Sequence, residues 1–368
     1  MRRYEVIFFN QDLEYQHHDS VDDPGIKDDY ISIQNNSMEI TLTDKVHVGH
    51  YVHLKSDDYS FFGVVTDVKP EKNQLKVAFK SFLSVFDEDV LFDTDSQKKN
   101  TTDPGGGSKI NSKSLEATLK DIIEENYVYS DDPFQNLSLS VIATDTVPRW
   151  GLNLTSDTEG AHYCLVGLYR VLIVNAMKKY GVALSVKPNF RDRIIYIVIT
   201  TSQRVLDVDG DLGNVDIKTL TVDDRPNGTN KLTVYNTNNY NQYIDFYVHP
   251  DKSWDSEDED RIVPVVRDVK GAYPDSAISD PDEAFESAAL DVAYGLLSGL
   301  TWNNLIEMET APDDELIQPL TLEFGQLISL HYKDSVYESI LTGIEVNSKS
   351  VMLTLGSERI NFTKRRGR

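Results

Sequence analysis

GQLISLHYKDSVYESILTGIEVNSKSVMLTL, running from Gly325 to Leu355, has an echo near the other end of the chain. Gly49 to Phe79 reads GHYVHLKSDDYSFFGVVTDVKPEKNQLKVAF, and the two align without a gap at a constant offset of 276 (325 − 49). Gly meets Gly, Leu54 meets Leu330, Asp58 meets Asp334 and Thr66 meets Thr342. Apolar residues mostly fall on apolar ones: Val52 on Ile328, Val64 on Ile340, Val65 on Leu341, Val68 on Ile344, Leu75 on Val351, Val77 on Leu353, Phe79 on Leu355. Inward positions recur every second residue, as a half-buried strand requires. The polar stretches Lys55 to Asp58 and Glu71 to Asn73 fall on His331 to Asp334 and Asn347 to Lys349, as turns between strands. A sequence repeat of this kind predicts a structural one.

The rest of the chain falls around these two units. Tyr4 to Gln11 predicts a first strand, Gln16 to Asp29 an acidic loop centred on Pro24-Gly25, and Tyr30 to Gln34 and Ser37 to Thr43 two further strands. Ser81 to Leu91 adds a strand or short apolar segment. Short strands with no helical period predict a small antiparallel barrel over residues 1–92. Residues 93–113, rich in Gly and polar groups, form a linker. Ser114 is placed to cap a helix with the apolar stripe Leu115, Leu119, Ile122 and Ile123. Leu137 to Ile142 predicts a strand. Gly160 to Tyr180 predicts a helix buried on all sides and ended by Gly181. A hairpin, Ala183 to Lys187 with Ile194 to Thr200, completes an α+β domain over 114–205.

Residues 206–305 read as a β-hairpin plus helix domain. Lys231 to Asn236 and Tyr243 to Val248 form its hairpin, and Trp254 to Asp260 an acidic surface loop. Asp280-Pro281-Asp282-Glu283 starts a helix with an Asp cap, Pro at its first position and Glu three after the cap. Its stripe is Phe285, Ala288, Ala289, Val292, Leu296 and Leu297, and Gly299 ends it. A second barrel over 306–368 closes with Ile360 and Phe362, ahead of the basic tail Lys364-Arg365-Arg366-Gly367-Arg368. The fold class expected is therefore α+β and multidomain, with two related small antiparallel β-barrels flanking α+β middle domains.

Composition bounds the function. The chain has 368 residues, 40% hydrophobic and 26% charged, as an ordinary globular protein has. It contains no apolar run of membrane-spanning length, and its N-terminus lacks a signal peptide's apolar core. A single cysteine, Cys164, excludes an intramolecular disulfide and fits a reducing compartment. The net charge of −24 argues against a surface that grips nucleic acid.

Catalytic signatures are missing: there is no HExxH, GxSxG, Walker loop or GxGxxG. Cys164 reads as a small packed hydrophobe within its helix. The histidines cluster only at His17-His18 and at His47, His50 and His53, where strand spacing puts His47 and His53 on one face and His50 on the other. Asp207-Val-Asp-Gly-Asp211 starts like a calcium loop, then puts Leu212 where Gly is needed and Lys218 where a bidentate Glu is needed. Trp150, Trp254 and Trp302 are too dispersed to draw a sugar-binding groove. No catalytic, cofactor-binding or metal site is expected, and no cofactor.

The arrangement resembles the hub proteins of phage baseplates and the N-terminal structural region of siphophage tail-associated lysin (Tal) proteins. The resemblance is carried by Tyr337 to Glu345 with Val351 to Thr363, by Gly63 to Val68 with Leu75 to Phe86, and by the passage Lys178 to Val186. It implies a non-enzymatic structural protein of the virion, at the tail tip: a homotrimer whose paired barrels make a pseudo-six-fold ring closing the tail tube. It also implies the distal tail protein, the tape-measure protein and receptor-binding proteins as partners, and host attachment as the process served. DNA would pass through without specific binding, past acidic walls. The alternative reading is a carbohydrate-binding or carbohydrate-cleaving tail or surface protein.

Overall fold

The computed structural model describes residues 3–93, 114–130, 136–147, 163–202, 204–210, 213, 215–226, 229–250, 253–274, 278–297, 302–332 and 335–356. The fold is α+β and mostly sheet. The N-terminal strands are β1 (Arg3–Phe9), β2 (Tyr15–Asp22), β3 (Ile26–Asp29), β4 (Asn36–Thr41), β5 (Tyr51–Lys55), β6 (Ser60–Glu71), β7 (Gln74–Ser81) and β8 (Asp89–Asp93). Then come α1 (Leu115–Tyr127), β9 (Leu139–Ala143), β10 (Tyr163–Gly167), α2 (Val174–Tyr180), β11 (Val182–Asn189), β12 (Ile194–Thr201), β13 (Val205–Asp209) and β14 (Ile217–Pro226). The chain continues through β15 (Lys231–Asn236), β16 (Asn239–Val248), β17 (Trp254–Asp255), β18 (Arg267–Ala272) and α3 (Pro281–Leu297). Its last strands are β19 (Trp302–Thr310), β20 (Leu327–Tyr332), β21 (Ser335–Val346) and β22 (Val351–Leu355).

Two large sheets dominate. The first has the order β2-β1-β5-β6-β7-β4, and its ends curl together where the Thr41 N–H donates to Asp19 Oδ2 at 2.6 Å. The second runs β13-β20-β21-β22-β19-β14, with β3 paired to β21 outside that path. The alternating apolar residues of both sheets meet in one core: Tyr4, Val6, Phe8, Leu54, Phe61 and Phe79 from the first, Met308, Ile328, Leu330, Leu341 and Leu353 from the second. The two repeat units are thus joined side by side, although the sequence places them at opposite ends.

A second core belongs to the α+β unit. Helix α1 lies over the sheet β11-β12-β9, in which β12 pairs β9 in parallel. Leu115, Leu119, Ile122 and Ile123 are buried, and Ser114 Oγ accepts from the Ala117 N–H, as the sequence requires. Glu116 is buried on the other side of that first turn, where Oε1 accepts the Thr146 N–H (3.1 Å) and Oε2 the Val147 N–H (3.2 Å). Gly181 takes φ +67° and stops α2 in the left-handed conformation that lacks a Cβ penalty. An aromatic ladder fastens this unit to the first sheet: Phe9 stacks on Phe190 at 4.1 Å, and Phe86 meets Tyr127 edge-on at 5.0 Å.

A third core, built from Leu232, Val234, Phe246, Val248, Phe285 and Ala289, holds α3 against the four-stranded sheet β17-β16-β15-β18. This module springs from the end of β14 and returns through β19, where Pro226 pairs Trp302. Asp280 Oδ1 accepts from the N–H groups of Asp282 and Glu283, the N-cap expected of it.

Four expectations are corrected. Gln16 to Asp29 is not a loop, since it holds β2 and β3. In β2 only Val21 is buried, so a strand with both faces wet carried no alternation to read. Tyr30 to Gln34 is not a strand: Asp29 Oδ1 accepts from the Ile31 and Ser32 N–H groups and turns the chain. The helix over Gly160 to Tyr180 begins later. Residues 163–167 form β10, paired with β8, and a π-turn over Leu168–Ile173 leads into α2. Cys164 therefore lies on a strand. Finally, His47 faces His50 (5.1 Å between rings), whereas His53 sits on β5 against Phe190 and Ser60. Gly299, Trp150, Ile360, Phe362 and the basic tail lie outside the described residues. No helix of the described residues is long and apolar enough to cross a membrane.

Candidate assembly site: two units in one register

The repeat read from sequence is reproduced bond by bond. In the first unit Tyr51 pairs Val64 and Lys55 pairs Ser60; in the second Leu327 pairs Ile340 and His331 pairs Val336, all at the same offset of 276. The β6–β7 register breaks between Val65 and Asp67, leaving Thr66 as a bulge. The β21–β22 register breaks between Leu341 and Gly343, leaving Thr342 in the equivalent place. A bulge re-aims a strand and sharpens its twist, so sharing it at one position gives both units the same bend.

The entry to each unit is also duplicated. Gly49 takes φ +86° and Gly325 φ +79°, a conformation that favours glycine. The Gly49 N–H donates to the Val65 carbonyl and the Gly325 N–H to that of Leu341, both at 2.9 Å. The preceding strand matches as well. Met38 pairs Val77 as Met308 pairs Leu353, and Asn36 pairs Phe79 as Ile306 pairs Leu355, at an offset of 270. Six more residues therefore lie between the fourth strand and the hairpin in the second copy (276 − 270).

Two clusters hold the units in place, one around the buried Tyr30 and one around the half-buried Asp28. Tyr30, 1% exposed, sits where three parts meet. Its N–H donates to the Thr342 carbonyl (2.8 Å), its hydroxyl accepts from the Leu184 N–H (2.9 Å), its carbonyl accepts the Tyr169 hydroxyl, and its ring packs on Phe324 (5.5 Å). The second is Asp28 on β3, opposite Ile344 of β21. Burial between the sheets pushes its carboxyl up to about 7, with the neighbouring Asp29 charge adding to the shift. The Tyr59 hydroxyl beside it is raised well above its ordinary value, chiefly by burial and then by Asp28. Sequence reading missed both clusters, because a tyrosine after an Asp-Asp pair carries no sign of which distant strand it will meet.

The residues weighed for chemistry do not converge. No group of three or more His, Cys, Asp or Glu poised for a metal ion occurs among the described residues. His50 and His53 are both held below the ordinary imidazole value by burial first, then by His47 and Lys55 respectively. Asp207 and Asp209 lie on β13 opposite Ser329 and His331, within a sheet, while Asp211 and Leu212 lie outside the described residues. Trp254 packs edge-on against Phe246 (5.8 Å), and Trp302 stands at the start of β19.

No protein-family model and no curated protein matches the sequence. Solved structures similar to this chain include one described as the phage P2 baseplate in its activated conformation with Ca, at 13% identity and TM-score 0.47, covering 96% of this chain and 98% of that one. Another is the 43 kDa tail protein of prophage MuSo2 from Shewanella oneidensis, at 11% identity and TM-score 0.48, covering 96% and 97%. A third is prophage tail protein gp18 from Listeria monocytogenes EGD-e, at 10% identity and TM-score 0.44, covering 98% and 96%.

Proposed function

We propose that the chain is a non-enzymatic structural protein of a phage tail, the hub at the tail tip. The observation that carries this reading is the pair of units with one register, one bulge and one glycine entry. A subunit that presents the same surface twice can mate a three-fold ring to a six-fold tube, because each copy supplies two of six equivalent contacts. In this reading the chain divides as 1–92, 114–205, 206–305 and 306–368 after a linker at 93–113. The first and last parts act as barrels. The ring joins the distal tail protein above, the tape-measure protein within and receptor-binding proteins around. The −24 charge keeps its lumen from retaining DNA.

The test is solution mass by light scattering, with negative-stain images of the same peak. A three-subunit ring with a central hole and six peripheral densities is the expected result. A monomer at every concentration that instead binds or cleaves glycans would overturn the proposal in favour of the carbohydrate reading.

A further inference from the structure

The module over β15–β18 covers one face of its sheet with α3, through Leu232, Val234 and Phe246. Away from the hairpin turn the other face is closed as well: Thr233 and Tyr247 are buried, and Lys231 Nζ lies 2.7 Å from Asp245 Oδ2. The tip of the β15–β16 hairpin is different. Tyr235 to Tyr243 reads YNTNNYNQY, nine residues without one charge in a chain of net charge −24. Tyr240 is 75% and Tyr243 62% exposed.

Three devices hold the rings there. The first is a bulge. Asn236 pairs Asn239 while Tyr235 pairs Tyr243, so one step along β15 spans four along β16, and Tyr240, Asn241 and Gln242 stand out from the ladder. The second is Gly271, which Tyr235 pairs on its other side. A Cβ at Gly271 would come within 3.1 Å of Tyr235 Cζ, so glycine lets the ring lie over the strand. Tyr240 then packs on Tyr235, with 5.6 Å between centroids and 33° between planes. The third is a set of hydrogen bonds under the turn. Asn236 Oδ1 accepts the Asn238 N–H (2.8 Å), and Asn236 Nδ2 donates to Gln242 Oε1 (2.8 Å). Gln242 Nε2 donates to Asp282 Oδ1 on α3 (2.9 Å). The Thr237 N–H and hydroxyl both donate to the Ala272 carbonyl (3.0 and 2.9 Å). None of the three tyrosines belongs to the module's core, so this order serves a surface. Rings fixed beforehand lose little freedom when something lies on them.

The chemistry of the tip selects its occupant. Nucleic acid needs cations, and the nine residues hold none. A stable protein interface takes about 20–30 residues a side, and this tip offers nine without an aliphatic side chain. A neutral sugar fits. The C–H face of a pyranose is apolar and lies flat on an aromatic ring, while its hydroxyls each donate and accept. The exposed amides of Asn238 and Asn241 also do both.

We propose that the β15–β16 tip is a binding platform for uncharged glycans, with Tyr235, Tyr240 and Tyr243 stacking on sugar rings and Asn238 and Asn241 bonding to their hydroxyls. The inference is independent of the tail-hub reading. A ring that binds glycan supports both, and a ring that binds none overturns only this one.

The experiment uses the full-length chain and two neutral hexasaccharides, maltohexaose and chitohexaose, with acidic hexagalacturonate as the charge control. Saturation-transfer NMR reads contact between tyrosine ring protons and sugar C–H protons, and titration gives Kd. At least one neutral sugar is expected to bind with a Kd of about 1 mM or tighter, and the acidic one at least ~10-fold more weakly. Tyr240→Ala should weaken binding by about 10-fold and Tyr243→Ala by about 3-fold, as loss of one stacked ring predicts. Gly271→Ala, which displaces Tyr235 while keeping all three tyrosines, should also weaken it. Tyr129→Ala, at a tyrosine 72% exposed elsewhere, should leave it unchanged. Thermal melts confirm that each variant stays folded, and Tyr240 and Tyr243 are exposed enough to be removed without loss of core. No transfer to either neutral sugar at about 10 mM would overturn the proposal. So would equal binding of the acidic sugar, indifference to Tyr240→Ala, or an equal loss in Tyr129→Ala.

Discussion

The first unit, Gly49 to Phe79, and the second, Gly325 to Leu355, share one backbone frame and differ in what borders it. Strand β5 takes the antiparallel neighbour β1, whereas β20 takes the parallel neighbour β13. Beyond the bulge, Gly343 to Val346 is covered by β3. The equivalent stretch of the first unit, Asp67 to Pro70, has β7 as its sole strand partner among the described residues, and its Lys69 and Pro70 are exposed. Thr342 is buried with its hydroxyl 2.8 Å from the Gly356 carbonyl; Thr66, in the same bulge, is exposed. The frame is thus a local property of thirty-odd residues, and the borders are set by the rest of the chain.

That contrast can be broken most forcefully at Tyr30, which touches the second unit and the α+β unit but not the first bulge. Tyr30→Ala is expected to destabilise by about 3–5 kcal/mol, the range for emptying a buried aromatic site. Urea unfolding would register it, and a change near zero would show that the three parts do not depend on this joint.

Asp28 distinguishes the units by pH. Its folded carboxyl sits above its unfolded value of 3.8, so the folded state holds the proton more tightly. Stability from this group is full below about 4, falls as pH rises through about 7, and is flat beyond. Asp28→Asn should remove that slope and raise stability at pH 8 by about 2 kcal/mol, after discounting the shift for partial exposure. Melting curves from pH 4 to 8 that stay parallel for the two proteins would contradict it.

The glycine pair sharpens the comparison. Alanine at either position meets the same left-handed strain of about 1–2 kcal/mol. At Gly49 the new Cβ would meet the Gln11 side chain at 3.3 Å, which can swing away; at Gly325 it would meet Ala183 Cβ and the Gly181 carbonyl at 3.1 Å, which cannot. Gly325→Ala should therefore be the more destabilising of the two. Equal shifts in urea midpoint would sink this distinction. The smallest expected effect separates the bulges: Thr342→Val should cost about 1 kcal/mol through a lost buried hydrogen bond, and Thr66→Val almost nothing.

The same distinction explains what the sequence disclosed. Both units, α1 with its Ser114 cap, α3 with its Asp280 cap, and the hairpins β11–β12 and β15–β16 were legible, because period, cap and turn chemistry sit within about twenty residues of one another. Strands β2 and β3 were not, since YQHHDSVD and IKDD carry no alternation. They are strands because β1 and β21 offer them partners. The start of the helix before Gly181 failed for the converse reason: an apolar run such as YCLVG reads equally well as buried helix or buried strand, and β8 decides it. Nor could the shared core of the two sheets be seen, because every strand in it declares an inward face but none declares whose inward face it meets.

Strand β3 has a consequence in time. Its partner Gly343 lies 314 residues downstream of Asp29 (343 − 29). At a synthesis rate of about 5–20 residues per second, β3 waits roughly 15–60 s for the strand it will join. During that interval the one matching berth already made is its counterpart on β6, Asp67 to Pro70. Pro70 has no N–H to give there, and the Lys69–Asp67 ion pair occupies the rim. The nascent chain thus keeps its early berth shut and its late one open, so the order of synthesis does not become the order of pairing.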